Sequence, residues 1–132
     1  MAKVTTFLMF QGAAEEAVGL YVSLFADSEI VQVERYGPGE PKEEGSFKTA
    51  RFTLAGREFL AFDSPPTHPF GFTPAISLFV DCDDPEEQDA AFARLSEGGS
   101  ILMPMGEYGF SRRFAWLNDR FGVSWQLNLP FA

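Results

Sequence analysis

The second half of this chain repeats the order of elements found in the first. Thr6-Phe-Leu-Met-Phe10 aligns with Ala75-Ile-Ser-Leu-Phe79, and Glu15-Glu16, Tyr21, Leu24 and Ile30 align with Glu86-Glu87, Phe92, Leu95 and Ile101. Further on, Arg51-Phe52 and Leu54 match Arg113-Phe114 and Trp116, while Gly56 and Phe59 match Gly122 and Trp125. The spacing between the halves changes only where a loop absorbs it. Two similar modules, each too small to bury a sheet face alone, are expected to pack against one another.

Each module reads as strand, helix and three strands. In the first, Lys3–Phe10 forms a strand that Gly12 breaks, and Ala13–Phe25 carries apolar residues at helical spacing with Glu15 and Glu16 in its first turn. Glu29–Tyr36 is a second strand. Residues 37–46, rich in Pro, Gly and charge, form a long exposed loop. Phe47–Leu54 and Arg57–Phe62 make a hairpin about Ala55-Gly56. Asp63–Thr73 holds Pro65, Pro66 and Pro69 and is a linker between modules of about 1–66 and 70–132. Beyond it lie a strand over Pro74–Val80, a helix over Asp84–Leu95, a short strand over Ser100–Met103 and a closing hairpin. That hairpin runs from Phe110 to Leu129 and turns through Asn118–Gly122. Its last strand alternates cleanly: Val123, Trp125, Leu127 and Leu129 point one way, Ser124, Gln126 and Asn128 the other.

Bulk properties narrow the function. A net charge of −9 offers no basic patch for nucleic acid. No apolar run reaches the ~20 residues of a membrane span. The N-terminus enters a strand pattern with no signal peptide before it, and Cys82, the single cysteine, fits a reducing cytoplasm.

The segments Phe10-Gln-Gly-Ala-Ala-Glu-Glu-Ala17 to Tyr21-Val-Ser-Leu-Phe25, Ala50-Arg-Phe-Thr-Leu-Ala-Gly-Arg-Glu-Phe59, Ser77-Leu-Phe-Val-Asp-Cys-Asp83 and Phe121-Gly-Val-Ser-Trp-Gln126 resemble the PhnB-like branch of the vicinal oxygen chelate superfamily. Glyoxalase I, extradiol dioxygenases and bleomycin-resistance proteins belong to that superfamily. The resemblance covers the whole chain. It implies an α+β fold of two βαβββ modules whose mixed sheets curl around a concave pocket, within a homodimer. Metal-dependent relatives place a His or Glu on the first and fourth strands of each module. By strand position those places here are Thr6, Leu60 (or Ala61), Ala75 and Gln126, which are not the imidazole and carboxylate ligands a catalytic ion needs. No metal and no other cofactor is therefore expected. Members of the branch often carry a methyltransferase name for ubiquinone synthesis, but a Gly-rich strand–turn–helix of nucleotide-cofactor type is missing.

Alternation predicts a pocket lined by Thr6, Leu8, Phe10, Arg51, Thr53, Glu58, Leu60, Phe62, Ala75, Ser77, Phe79, Arg113, Ala115, Ser124, Gln126 and Asn128. Such a mixture suits a small, largely apolar ligand, and Arg51 and Arg113 are placed to hold an anionic group on it. The competing reading pairs Arg51 with Glu58, and Arg113 with Glu107 or an interface acid. Glu58 is the one candidate general base, for an alternative reading as a glyoxalase-type lyase or isomerase that uses a metal or this carboxylate. His68 lies in the linker, the acids around Cys82 oppose a nucleophilic thiolate, Trp116 and Trp125 read as core anchors, and Tyr108 between two glycines as a mobile lid. The expectation is a metal-free, homodimeric, cytoplasmic small-molecule binder.

Overall fold

The computed structural model describes residues 1–131. The chain divides into two compact units, Met1–Pro69 and Phe70–Ala132. Each holds a four-stranded mixed sheet with one helix on one of its faces.

In the first unit the strands are β1 (Thr6–Phe10), β2 (Glu29–Arg35), β3 (Phe47–Leu54) and β4 (Arg57–Asp63), in the order β1-β4-β3-β2. β1 runs parallel to β4, and the other pairs are antiparallel. The connection from β1 to β2 is supplied by α1 (Ala14–Val22), shorter than the sequence pattern suggests. Ser23 ends it, its hydroxyl and its amide both donating to the Leu20 carbonyl. Ala14, Ala17, Val18 and Tyr21 of α1 are buried against Phe52, Phe59, Ala61, Leu8 and Phe10, and the rings of Phe10 and Tyr21 lie 6.5 Å apart.

The N-terminus of α1 is capped from the sheet. Ala13 offers no side-chain acceptor, and Asp63 at the end of β4 accepts from Gly12 N at 2.6 Å and Ala14 N at 3.4 Å. Lys42 also reaches Asp63, at 3.1 Å, while the Tyr36 hydroxyl donates to the Asp63 carbonyl. The 37–46 loop, which the sequence presents as exposed, is therefore pinned to the core through a half-buried lysine.

The β3–β4 turn at Ala55-Gly56 has both residues in the left-handed region, with φ of 49° and 81°. This is the type I′ arrangement that matches strand twist, and alanine is a poor first residue for it. Replacing Ala55 by Asn should stabilise the first unit by about 0.5–1 kcal/mol in thermal denaturation. An unchanged or lowered midpoint would contradict that account of the turn.

The second unit repeats the plan with β5 (Leu78–Asp81), α2 (Pro85–Ser96), β6 (Ser100–Gly106), β7 (Arg113–Asn118) and β8 (Ser124–Leu129), in the order β5-β8-β7-β6. Asp84 caps α2 by accepting from Glu87 N at 2.8 Å, and the Glu87 carboxylate accepts in return from Asp83 N at 2.9 Å. Gln88, fully buried on α2, donates to the carbonyls of Arg113 and Leu127 and so fixes the helix to two strands. Trp125, Leu127, Ala115, Leu117, Ala91 and Leu95 form the core beneath it.

β5 begins later than the expected strand over Pro74–Val80. Residues 74–76 form a turn and bend, held by bonds from Ala75 N and Ile76 N to Thr73, and Ser77 follows before the strand begins. Ala75 and Ser77 consequently precede the strand rather than lie in it. β6 extends beyond Met103, with register shifts on both sides of that residue.

Candidate functional site

Strand registers define which side chains share the face of each sheet opposite its helix. In the first unit one row runs Phe7, Leu60, Arg51, Gln32 across β1, β4, β3 and β2. Phe62 and Thr49 lie one row away, and Thr53 and Glu58 another. A cavity of about 140 Å³ opens here, lined by Gln32, Glu34, Thr49, Ala50, Arg51 and Leu60. In the second unit the corresponding row is Phe79, Gln126, Trp116, Met103. Asn118 and Ser124 lie on one side of it, Phe114 and Asn128 on the other.

Arg51, Thr53, Glu58, Leu60, Phe62, Phe79, Ser124, Gln126 and Asn128 therefore stand on open faces. Thr6, Leu8 and Phe10 do not. Thr6 is opposite Phe59, Leu8 opposite Ala61 and Phe10 opposite Asp63, all on the helix side; Phe7 and Met9 take the open face instead. Phe7 is 57% exposed and contacts the Phe62 ring at 6.4 Å. β1 carries large apolar residues in both phases, so its alternation does not say which phase is covered.

Arg113 is a second correction. It pairs with Leu129 on the helix side, donates to Asp89 at 2.6 Å and approaches Gln88. Its partner is Asp89 rather than Glu107, and its side chain leaves from the face opposite the open one. Ala115 is likewise in the core, while Trp116 faces outward and donates its indole N–H to Ser124 Oγ at 2.9 Å. The structural counterpart of Arg51 is thus Trp116, opposite Gln126 as Arg51 is opposite Leu60. The symmetric arginine pair suggested by the repeat does not form. Of the two residues before β5, Ala75 is exposed in its turn, whereas Ser77 Oγ lies 2.8 Å from Ser124 Oγ.

Glu58 accepts from Lys3 and Arg51, and these two cations hold its carboxyl below the usual carboxylate range. A general base needs a pKa near the working pH, and this one is shifted the other way. The stabilisation it contributes is present above the ordinary glutamate pKa and is lost as pH falls through the lower folded value. Carboxyl-carbon NMR should find the Glu58 midpoint below that of unfolded glutamate; a midpoint above it would revive the base. Burial and its acidic neighbours push the Cys82 thiol up to about 12, which leaves it unreactive at neutral pH.

Tyr108 is not a free lid. Its hydroxyl donates to Pro104 O at 2.6 Å, and its ring stacks on Phe110 and meets Phe114 edge-on. The loop so held covers Phe114, while Phe79 remains 55% exposed.

The places taken on the first and fourth strands by a metal ligand are, by observed register, Phe7 with Leu60 and Phe79 with Gln126. One amide among two aromatics and an aliphatic side chain does not fit a catalytic ion. Among the described residues no group of three or more His, Cys, Asp and Glu is placed to hold one. Among the same residues no helix is long and apolar enough to cross a membrane.

Two βαβββ units with open sheet faces define the vicinal oxygen chelate class of fold, seen also in the fosfomycin resistance protein FosX from Listeria monocytogenes (TM-score 0.65, 13% identity, 99% of this chain and 94% of that one). Within that class, the chain belongs to the PhnB-like family described as 3-demethylubiquinone-9 3-methyltransferase, which matches residues 2–128. A PhnB protein from Bacillus cereus is 55% identical with a TM-score of 0.92, over 97% of this chain and 99% of that one. Protein PA1353 from Pseudomonas aeruginosa shares 26% identity with a TM-score of 0.84, over 98% of each chain. No protein of curated function matches.

Proposed function

We propose that this protein binds a small, largely apolar molecule on its open sheet faces without the help of a metal. The observation that carries the reading is the row Phe79, Gln126, Trp116, Met103, in which aromatic and thioether side chains flank a single amide on a face its own helix does not cover. The positions of a metal-dependent relative's ligands hold no set of donors for an ion. Glu58 is committed to Lys3 and Arg51, which leaves lyase or isomerase chemistry without a free base among these groups.

An anionic group on the ligand, expected from two arginines, loses its support with Arg113 turned to the helix and Arg51 neutralised by Glu58. Methyl transfer, named in the family description, gains none from the helix N-termini. Those of α1 and α2 already face the carboxylates of Asp63 and Asp84, whose negative charge opposes an anionic cofactor group there.

The protein acts as a homodimer in the cytoplasm under this reading. Both β2 and β6 are edge strands in their sheets and expose Ile30, Val31 and Val33, and Ile101 and Leu102. Natural edges of this kind are covered, and a second copy is the simplest cover. Sedimentation as a monomer at micromolar concentration would contradict the dimer.

The binding itself is tested by ¹⁵N NMR titration with neutral and anionic aromatic fragments, with and without chelator. Neutral fragments should shift Phe79, Trp116 and Gln126 signals equally in both conditions. Shifts that vanish with chelator, or that avoid these residues altogether, would overturn the proposal.

A further inference from the structure

Gln126 is the polar side chain in the central row of the second sheet's open face, and it has hydrogen-bonding capacity to spare. Ser124 is engaged by Trp116 and Ser77, and Asn128 donates to Asp81 at 2.8 Å. The Gln126 amide has no bond to any described residue. Its two neighbours in the row are Phe79 and Trp116, on the strands to either side. The Phe79 ring lies 6.3 Å from that of Phe114 and the Trp116 indole reaches Ser124 Oγ, so both rings lean over β8 to either side of Gln126 and offer apolar surface to a flat ring.

Charge narrows the ligand further. Arg113 is on the far side of the sheet, and the row around Gln126 holds no cation. Asp81, one row away opposite Asn128, accepts a bond from it. An anion has nothing to pair with here.

Resting on the binder reading above, we infer that Gln126 sets specificity on this face for a neutral planar molecule with an N–H beside a C=O, a lactam or cyclic imide. A primary amide both donates and accepts, and it matches that pair of groups edge to edge. The equivalent position in the first unit is Leu60, between Phe7 and Arg51, so the fold accepts an aliphatic residue there. That makes Gln126→Leu a conservative test.

Calorimetric titration would compare three probes: 2-quinolone, N-methyl-2-quinolone and 2-naphthoate. On the unaltered protein, 2-quinolone should bind about tenfold more tightly than its N-methyl analogue, and naphthoate most weakly. Gln126→Leu should abolish the difference between the two quinolones while leaving N-methyl-2-quinolone bound. Gln126→Glu, which keeps the shape but removes the N–H donors, should also weaken 2-quinolone. Equal binding of both quinolones that neither variant alters would overturn the inference and leave the binder reading intact. Tightest binding of naphthoate would overturn it as well. No binding of any probe would remove both this inference and the site it rests on.

Discussion

Replacing Asp119 by Ala should destabilise the second unit by about 4 kcal/mol, the largest effect expected of any single polar substitution in it. Asp119 is 3% exposed and closes the β7–β8 loop with bonds to both oxygens of its carboxylate. One oxygen accepts from Phe121 N at 2.9 Å and Val123 N at 3.0 Å, and the other from the Trp125 indole N–H at 3.0 Å. Trp125 is also the largest fully buried side chain, so the same carboxylate that shapes the turn orients the centre of the core. Alanine removes the acceptor these three donors share, and two of the lost bonds, from Val123 N and the Trp125 indole, are buried. Asp119→Asn would keep an acceptor for the two backbone amides but set an amide nitrogen against the indole, for a cost of about half as much. Thermal denaturation measures the difference, and exchange of the Trp125 indole proton localises it. A loss under about 1 kcal/mol for Asp119→Ala would show that the loop does not depend on this carboxylate.

In the first unit the corresponding weak point is Asp63. Its side chain caps α1 through Gly12 N and Ala14 N and pairs with Lys42 at 3.1 Å, both ions being largely removed from solvent. Asp63→Ala should cost about 3 kcal/mol, because it strips the helix of its cap and leaves a half-buried ammonium without its counter-ion. Lys42→Met should cost less, about 1–2 kcal/mol, since the carboxylate keeps its two amide donors and the favourable end of the helix dipole. Hydrogen exchange separates the two effects. Both variants should release the 37–46 loop, whereas only Asp63→Ala should also deprotect the first turn of α1. Equal losses in the two variants would contradict the capping role.

How far the sequence could be read depended on whether a strand has one polar face. β8, β3 and β4 alternate, and their open-face residues, from Thr53 and Glu58 to Gln126 and Asn128, lie where that alternation puts them. β1 is Thr-Phe-Leu-Met-Phe, with apolar bulk in both phases, and only the crossover through α1 decides that Leu8 and Phe10 are the covered pair. β7 misleads for a different reason. Aligning Arg113 with Arg51 shifts its phase, yet Arg113 is tolerated on the helix side because it lies at the end of the strand, where Asp89 and Gln88 of α2 meet it. The sequence did carry one signal that alternation overlooks. Asp63 falls in the covered phase of β4, after Phe59 and Ala61, and a carboxylate there must find donors. The engagement of Asp119 with Trp125 had no comparable signature, since turn chemistry alone accounts for an Asp in a hairpin loop.

The repeat is accurate for the order of elements and for the helix faces but not for the open faces. Leu60 and Gln126, Arg51 and Trp116, and Glu58 and Ser124 occupy equivalent registers with unlike chemistry. The first sheet carries an ion-paired face and the second an aromatic, uncharged row. That difference is the reason the proposed ligand is assigned to the second unit.

Native mass spectrometry of protein purified without chelator tests the proposed metal-free binding. The expected result is a species with no stoichiometric metal, with any co-purified mass being a neutral organic compound released by mild activation. Stoichiometric zinc, nickel or iron on the intact protein would contradict it and return the chain to metal-dependent chemistry.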